Sequence, residues 1–303
     1  MELRVLQYFL AVAREQSISG AAESLHLSQP TLSTQLKSLE REVGKQLLIR
    51  GTKGSRKVLL TEEGMMLRKR AEEILELVSK AKRELAAPDE AIAGDIYIGT
   101  GEADSIRILA DIARDLQGRY PDIHYHIHSG NAAFVFEQLE KGLIDFGVVH
   151  GAADVSQYGS IKLPQRDTWG VLMRADAPLA CKERIAPHDL WDKPLILSAQ
   201  KSEDWPLSQW FGRDVEKLNV VATYNLLFNA SLLVDVGMGY AVCYDKIINT
   251  CGGDLCFRPL FPDLEAEATL IWKRYRVFTK AARLFADELW TRCAPEAGEA
   301  ELR

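Results

Sequence analysis

The sequence predicts an α/β protein that carries an all-α head, joined to the rest of the chain by one long helix. Three observations predict this. Up to about residue 45 the apolar residues recur at three- and four-residue spacing, between 67 and 85 they settle into a heptad, and after Gly94 short strands alternate with amphipathic helices. A chain of 303 residues, 47% apolar and 26% charged, has the make-up of a globular protein with room for about two domains. No apolar run approaches the roughly 20 residues that cross a bilayer. The amino-terminal stretch, with Leu3, Leu6, Phe9, Leu10 and Ala13 on one stripe, lacks a cleavage pattern. A cytoplasmic protein with no membrane partner is expected. Cys181, Cys243, Cys251, Cys256 and Cys293 form an odd set without a CxxC, which predicts free thiols, with Cys251 and Cys256 the one close pair.

In the head, a short helix over Ala21-Ala22-Glu23-Ser24-Leu25 is followed by a turn and a second helix opening at Ser28-Gln29-Pro30. Ser28 is placed to cap that helix, and Pro30 in its first turn costs no hydrogen bond. Leu32, Leu36 and Leu39 make a buried stripe, while Thr31, Thr34, Lys37, Ser38 and Arg41 project from the opposite side. That order and that polar face are those of a helix-turn-helix whose second helix meets base edges in the major groove of DNA. Charge agrees. Residues 1–62 hold nine Lys or Arg against six Glu, a balance of +3, and since the chain as a whole is −6 the remainder carries −9. The densest cationic stretch, Arg50-Gly51-Thr52-Lys53-Gly54-Ser55-Arg56-Lys57, lies between two short apolar strands and reads as a β-wing facing phosphates. Ser28, Gln29, Pro30, Thr31, Ser33, Thr34 and Lys37 are the candidates for bases and nearby phosphates, with Arg50, Lys53 and Arg56 for the DNA backbone.

From residue 62 to about 85, Leu67, Ala71, Ile74, Val78, Ala81 and Leu85 alternate at four and three residues. This seam predicts a long helix that pairs with a second copy of itself, so that the DNA-binding unit is a dimer. Ala86-Ala87-Pro88-Asp89 should end it, and the stretch to Gly94 is a candidate hinge. Beyond that, strands are predicted over 95–99, 123–127, 145–149, 169–173, 195–197, 220–223, 240–242 and 270–272, and helices over 105–117, 133–141, 205–217, 226–236 and 280–293. In such α/β sheets ligands lie at the carboxyl ends of strands.

These residues carry a resemblance. Ala21-Ala22, the run 27–33, Leu39-Glu40, Leu47-Leu48-Ile49-Arg50 and Leu60-Thr61-Glu62-Glu63-Gly64 resemble the winged helix-turn-helix of LysR-type transcriptional regulators. Thr34 stands where the family usually has a basic residue, and Leu48 where it usually has Phe. Gly142-Leu143-Ile144-Asp145-Phe146-Gly147, Asp176-Ala177-Pro178-Leu179-Ala180, Asp189-Leu190, Pro194-Leu195-Ile196 and the run 234–239 are similar to the family's effector domain. The resemblance implies a winged head over 1–62, a dimerisation helix over 63–88, and an effector domain over 94–303 like a periplasmic binding protein. Its lobes would be about 94–163 with 268–303, and about 164–267. It further implies promoter DNA, a small-molecule effector between the lobes, a second copy or a tetramer, and RNA polymerase as partners, with no cofactor and no catalysis. By resemblance the effector pocket falls on Thr100, Gly101, Glu102, Ser129, Asn131, Ser198, Gln200, Asn225 and Phe228. A carboxylate at Glu102 disfavours a dianionic effector and favours an amine-bearing or neutral one.

Two clusters admit a second reading. His124, His126 and His128 project from one face of a strand, which suits either a zinc or nickel site or, with no fourth ligand in sight, the polar side of an edge strand whose Ile123, Tyr125 and Ile127 face the core. Their protonation could also confer pH sensitivity. Trp205, Trp210 and Phe211 at helical spacing suit core packing better than a lid over the cleft. No Gly-x-Ser-x-Gly, P-loop or HExxH motif is present. The competing reading of the whole chain is a solute-binding or catalytic α/β protein with a helical assembly head, but such a head has no need of a polar helix face followed by a basic wing.

Overall fold

The computed structural model describes residues 1–51, 57–86, 92–151, 153–199 and 206–293. The chain divides into two units, Met1–Ala86 and Ala87–Arg303. In the first, α1 (Leu3–Glu15) buries Val5, Leu6, Phe9 and Val12 and stops at Gln16, which turns left-handed at φ 51° and returns its N–H to Val12 O at 2.9 Å. Ser17 caps α2 (Ile18–Ser24) through the Gly20 N–H, and His26 at φ 55° makes the turn. Ser28 caps α3 (Gln29–Val43) by accepting from the Thr31 N–H, and Gly44 at φ 69° ends it. Leu32, Leu36 and Leu39 are at most 1% exposed and meet Phe9, Val12, Ala21 and Ala22 in one small core. The predicted wing strands are β1 (Leu48–Arg50) and β2 (Val58–Leu60), antiparallel with Ile49 opposite Leu59. The long helix is α4 (Glu62–Ala86). Thr61 starts it by accepting from the Gly64 N–H at 2.9 Å and donating to Gln46 O at 2.8 Å.

The second unit is built on one continuous sheet. Lobe 1 begins with β3 (Gly94–Thr100), lying parallel between β4 (Ile123–Ser129) and β5 (Phe146–His150), with α5 (Arg107–Arg119) and α6 (Ala132–Glu140) as the crossovers. Next comes β6 (Tyr158–Arg174), a strand of 17 residues that serves both lobes. Lobe 2 adds α7 (Pro187–Leu190), β7 (Leu195–Ser198), α8 (Pro206–Phe211), β8 (Val220–Tyr224), α9 (Leu227–Asp235), β9 (Tyr240–Tyr244) and β10 (Leu255–Pro259). The chain then returns through β11 (Glu265–Lys273), antiparallel to β5 and β6, and closes on α10 (Lys280–Cys293). The sheet order is β4-β3-β5-β11-β6-β9-β7-β8, with β10 also on β6. A core of Ile96, Ile112, Phe146, Leu270 and Phe285 holds lobe 1, and a separate one of Val171, Leu195, Phe211, Val242 and Leu260 holds lobe 2.

Four elements differ from the sequence reading. The helix predicted over 205–217 is instead α8 and a short turn of 3-10 helix at Val215–Lys217, because Gly212 turns left-handed at φ 60° between them. Within it, Phe211 is fully buried, Trp210 donates its indole N–H to Pro262 O at 2.9 Å, and Trp205 falls outside the described residues. β6 starts eleven residues earlier than the predicted strand at 169, and β10 was not predicted. Ile127 is 56% exposed rather than core-facing, near the carboxyl end of β4, which is the edge strand of the sheet. The end of α4 at Ala86 agrees with the sequence, while residues 87–91 of the candidate hinge lie outside the described residues.

Candidate nucleic-acid interface and effector cleft

On α3 the polar face stands free of the core. Ser28, Gln29, Pro30, Thr31, Thr34 and Lys37 are all exposed, and Ser33 is half-buried. Several hydroxyls are nevertheless committed to the helix itself. Ser28 Oγ lies 2.7 Å from Thr31 Oγ1, and Thr34 Oγ1 donates to Pro30 O at 2.9 Å. Two long polar side chains remain: exposed Gln29, whose Oε1 accepts from Ser19 Oγ at 3.3 Å and whose amide N–H groups are donors, and Lys37, which pairs with no carboxylate among the described residues.

Arg50 has a more structural place than a phosphate contact requires. Its Nη2 lies 3.0 Å from Glu40 Oε2, and Glu40 Oε1 in turn accepts from the Leu47 and Leu48 N–H groups at 3.0 and 3.1 Å. One carboxylate on α3 thus fixes the base of the wing. Lys53 and Arg56, the other predicted backbone contacts, lie outside the described residues.

In the second unit a cavity of about 520 Å³ opens between the lobes. Four of the predicted pocket residues line it: Gly101 and Glu102 after β3, Ser198 at the end of β7, and Asn225 after β8. Four do not. Thr100 is 3% exposed and turns its hydroxyl onto Gly101 O, and Asn131 spends its side chain capping α6 through the Phe134 N–H at 2.9 Å. Ser129 stands exposed at the end of the edge strand, where its neighbour Gly130 lines the cavity instead. Phe228 is 62% exposed on a stripe with Leu232 and Val236, while the preceding Leu227 faces the cavity. Gln200 lies outside the described residues.

The sequence reading missed the floor of the cleft. His150 at the end of β5, Trp169 within β6 and Tyr244 at the end of β9 all line it. The Trp169 and Tyr244 rings are 4.3 Å apart, and His150 lies 5.5 Å from Tyr244. Behind His150 is Asp167, 3% exposed, whose Oδ1 accepts from the Ser105 N–H at 3.0 Å and whose Oδ2 is 3.2 Å from His150 Nε2. Burial pushes this carboxyl up, but hydrogen bonds from His150 and Ser105 outweigh it and hold it below its usual 3.8. Tyr224 donates to Val242 O at 2.7 Å, and its burial drives the phenol well above its ordinary value. Ser105 Oγ also lies 3.2 Å from His150 Nε2. A serine and a carboxylate on the same imidazole nitrogen do not make a nucleophile–base–orienter relay, which needs them on opposite nitrogens.

The remaining candidates fall to structure rather than chemistry. His126 Nε2 is 2.8 Å from Asp95 Oδ1 and its ring stacks on Tyr97 at 4.5 Å. Among the described residues no group of three or more His, Cys, Asp or Glu is placed to hold a metal ion, so the histidine face reads as the polar side of the edge strand. The five cysteines are unpaired thiols. No helix among the described residues is long and apolar enough to cross a membrane.

A head with this helix order, joined to two α/β lobes around a cleft, is the build of a ligand-responsive DNA-binding regulator. The family model for the bacterial regulatory helix-turn-helix protein, lysR family, matches residues 3–65, and that for the LysR substrate binding domain matches residues 89–294. The chain belongs to the LysR family of transcriptional regulators. It is similar to the uncharacterized HTH-type transcriptional regulator YfeR of Shigella flexneri, with 26% identity across 94% of this chain and 92% of that one. It is also similar to the HTH-type transcriptional regulator AlsR of Bacillus subtilis, with 33% identity over 68% of this chain and 66% of that one. Among solved structures, full-length CbnR complexed with its target DNA has the same fold, at a TM-score of 0.78 and 19% identity over 97% of this chain and 100% of that one.

Proposed function

We propose that this chain reads promoter DNA as a dimer or dimer of dimers, and that a small molecule bound between its lobes changes how it does so. The observation that carries the DNA reading is α3, a helix capped at both ends, buried on one side by three leucines and bare on the other. Gln29 and Lys37 are the side chains best placed to reach bases and nearby phosphates, with Lys53 and Arg56 of the wing on the backbone and Arg50 anchoring the wing through Glu40. The cavity between the lobes, walled by both cores, supports the effector reading. RNA polymerase is the further partner this role implies. The chain acts in the cytoplasm, and it performs no catalysis.

The test is a gel-shift titration on the duplex upstream of the chain's own reading frame, repeated across a salt series. Binding should weaken linearly in log salt, and Lys37→Ala should flatten that slope by about one phosphate contact. Sequence-independent binding with an unchanged slope would count against α3 as the reader.

A further inference from the structure

We propose that the effector of this protein carries a protonated amine, with Glu102 as its counter-ion. This rests on the interlobe cavity being the effector site. The charges of the cavity wall carry the argument. None of the described residues lining it is Lys or Arg, whereas three are Glu. Two of those are already answered: Glu267 lies 2.8 Å from Lys162 and 2.9 Å from Arg166, and Glu265 lies 3.4 Å from Arg166.

Glu102 is different. It follows β3 of lobe 1, is half-buried, and has no cationic partner among the described residues. Its Oε2 instead accepts from the Leu227 N–H, the first of α9 in lobe 2. Leu226, in the capping position of α9, has no side-chain acceptor to offer, so the carboxylate of the opposite lobe fills that role. An anionic effector seeking this helix end meets a carboxylate already on it and finds no Lys or Arg elsewhere on the described wall. A cationic group, by contrast, meets a carboxylate whose charge the single backbone N–H does not neutralise.

The rest of the wall is consistent with an amine on an aromatic or apolar body. Trp169 and Tyr244 line it with their ring centroids 4.3 Å apart, aromatic surface that suits a cation or a ring. The assigned class is therefore a small amine on an aromatic or apolar body, with no free carboxylate.

Three probes of one shape separate charge from fit: tyramine, 2-(4-hydroxyphenyl)ethanol and 3-(4-hydroxyphenyl)propionate. Calorimetric titration of the full chain should show tyramine binding most tightly and the propionate least. Glu102→Gln keeps an acceptor for Leu227 and removes the charge, so it should weaken tyramine by about tenfold or more and leave the alcohol within about threefold. Tighter binding of the propionate than of tyramine to the wild type would overturn the amine assignment, as would tyramine binding that is indifferent to Glu102→Gln or no binding of tyramine. The cleft itself is tested apart from this, by Ser198→Trp on the far wall: loss of binding of whichever probe binds upholds the cavity as the effector site, and retained binding places the effector elsewhere.

Discussion

Asp167 shows how much of the site depends on a residue that is not among those lining the cavity. Its carboxylate ties Ser105, at the entry to α5, to His150 at the end of β5, and so sets the imidazole that lines the cleft. Because its hydrogen bonds hold it below 3.8, the folded state binds its proton less readily than the unfolded one. The contribution of Asp167 to stability is therefore complete above pH 3.8 and is lost as the pH falls through the lower folded value. Asp167→Asn should accordingly be destabilised relative to wild type in urea near neutral pH, and the gap should narrow in acid below that point. A gap that widened towards acid would show the carboxylate to be strained rather than stabilised. Nothing in the sequence singled this residue out. Gly101, Glu102, Ser198 and Asn225, which the family resemblance placed in the pocket, line the cavity, at the carboxyl ends of strands where ligands lie in α/β sheets. Trp169 was not legible, since it lies on β6, whose continuity the polar run Gln165-Arg166-Asp167 hides, whereas His150 and Tyr244 end strands that the sequence predicts, so that the strand-end rule, extended to them, reaches both.

At the scale of elements, local chemistry was most legible where caps and glycines mark the boundaries. Ser28 caps α3 as its position predicts, and α10 spans the predicted 280–293; Ser17, Gly44 and Thr61 play the same kind of boundary role without having been singled out. The missed strands have different causes: β10 is half-buried along its whole length and lacks a two-residue alternation, while the first half of β6 alternates over 160–164 but is cut off from the rest by Pro164 and the polar run after it. Gly64 is a different case, a glycine inside a helix. A Cβ there would lie 2.2 Å from Leu47 O, so the first turn of α4 packs directly on the backbone leading into the wing. Backbone cannot yield as a side-chain tip can. Gly64→Ala should raise the intrinsic helicity of α4 yet destabilise the head by about 1–3 kcal/mol. Thermal unfolding of the isolated variant, followed by far-UV circular dichroism, reads the outcome, and a gain in midpoint would mean that α4 docks less closely than described.

For the whole molecule the long helix raises the question of what covers it. Along the predicted seam Ala71 is fully buried and Leu67 joins the core of the head, but Ile74 and Val78 are only half-buried and Leu85 is 87% exposed. The seam thus begins as part of the head and continues beyond it as an apolar stripe, which a second copy of the helix would cover. Two heads held this way would read two half-sites, and the +3 balance of residues 1–62 in an otherwise acidic chain would be doubled. Ile74→Asp places a charge in the middle of the stripe, at a residue that is not part of the core of the head. Sedimentation velocity at micromolar concentration should show the variant as a monomer, with the far-UV spectrum preserved. Its binding to a full operator should fall to that of a single half-site, since the second head is no longer tethered at a high effective concentration. An unchanged dimer would transfer the assembly to the α/β lobes and leave α4 as a spacer.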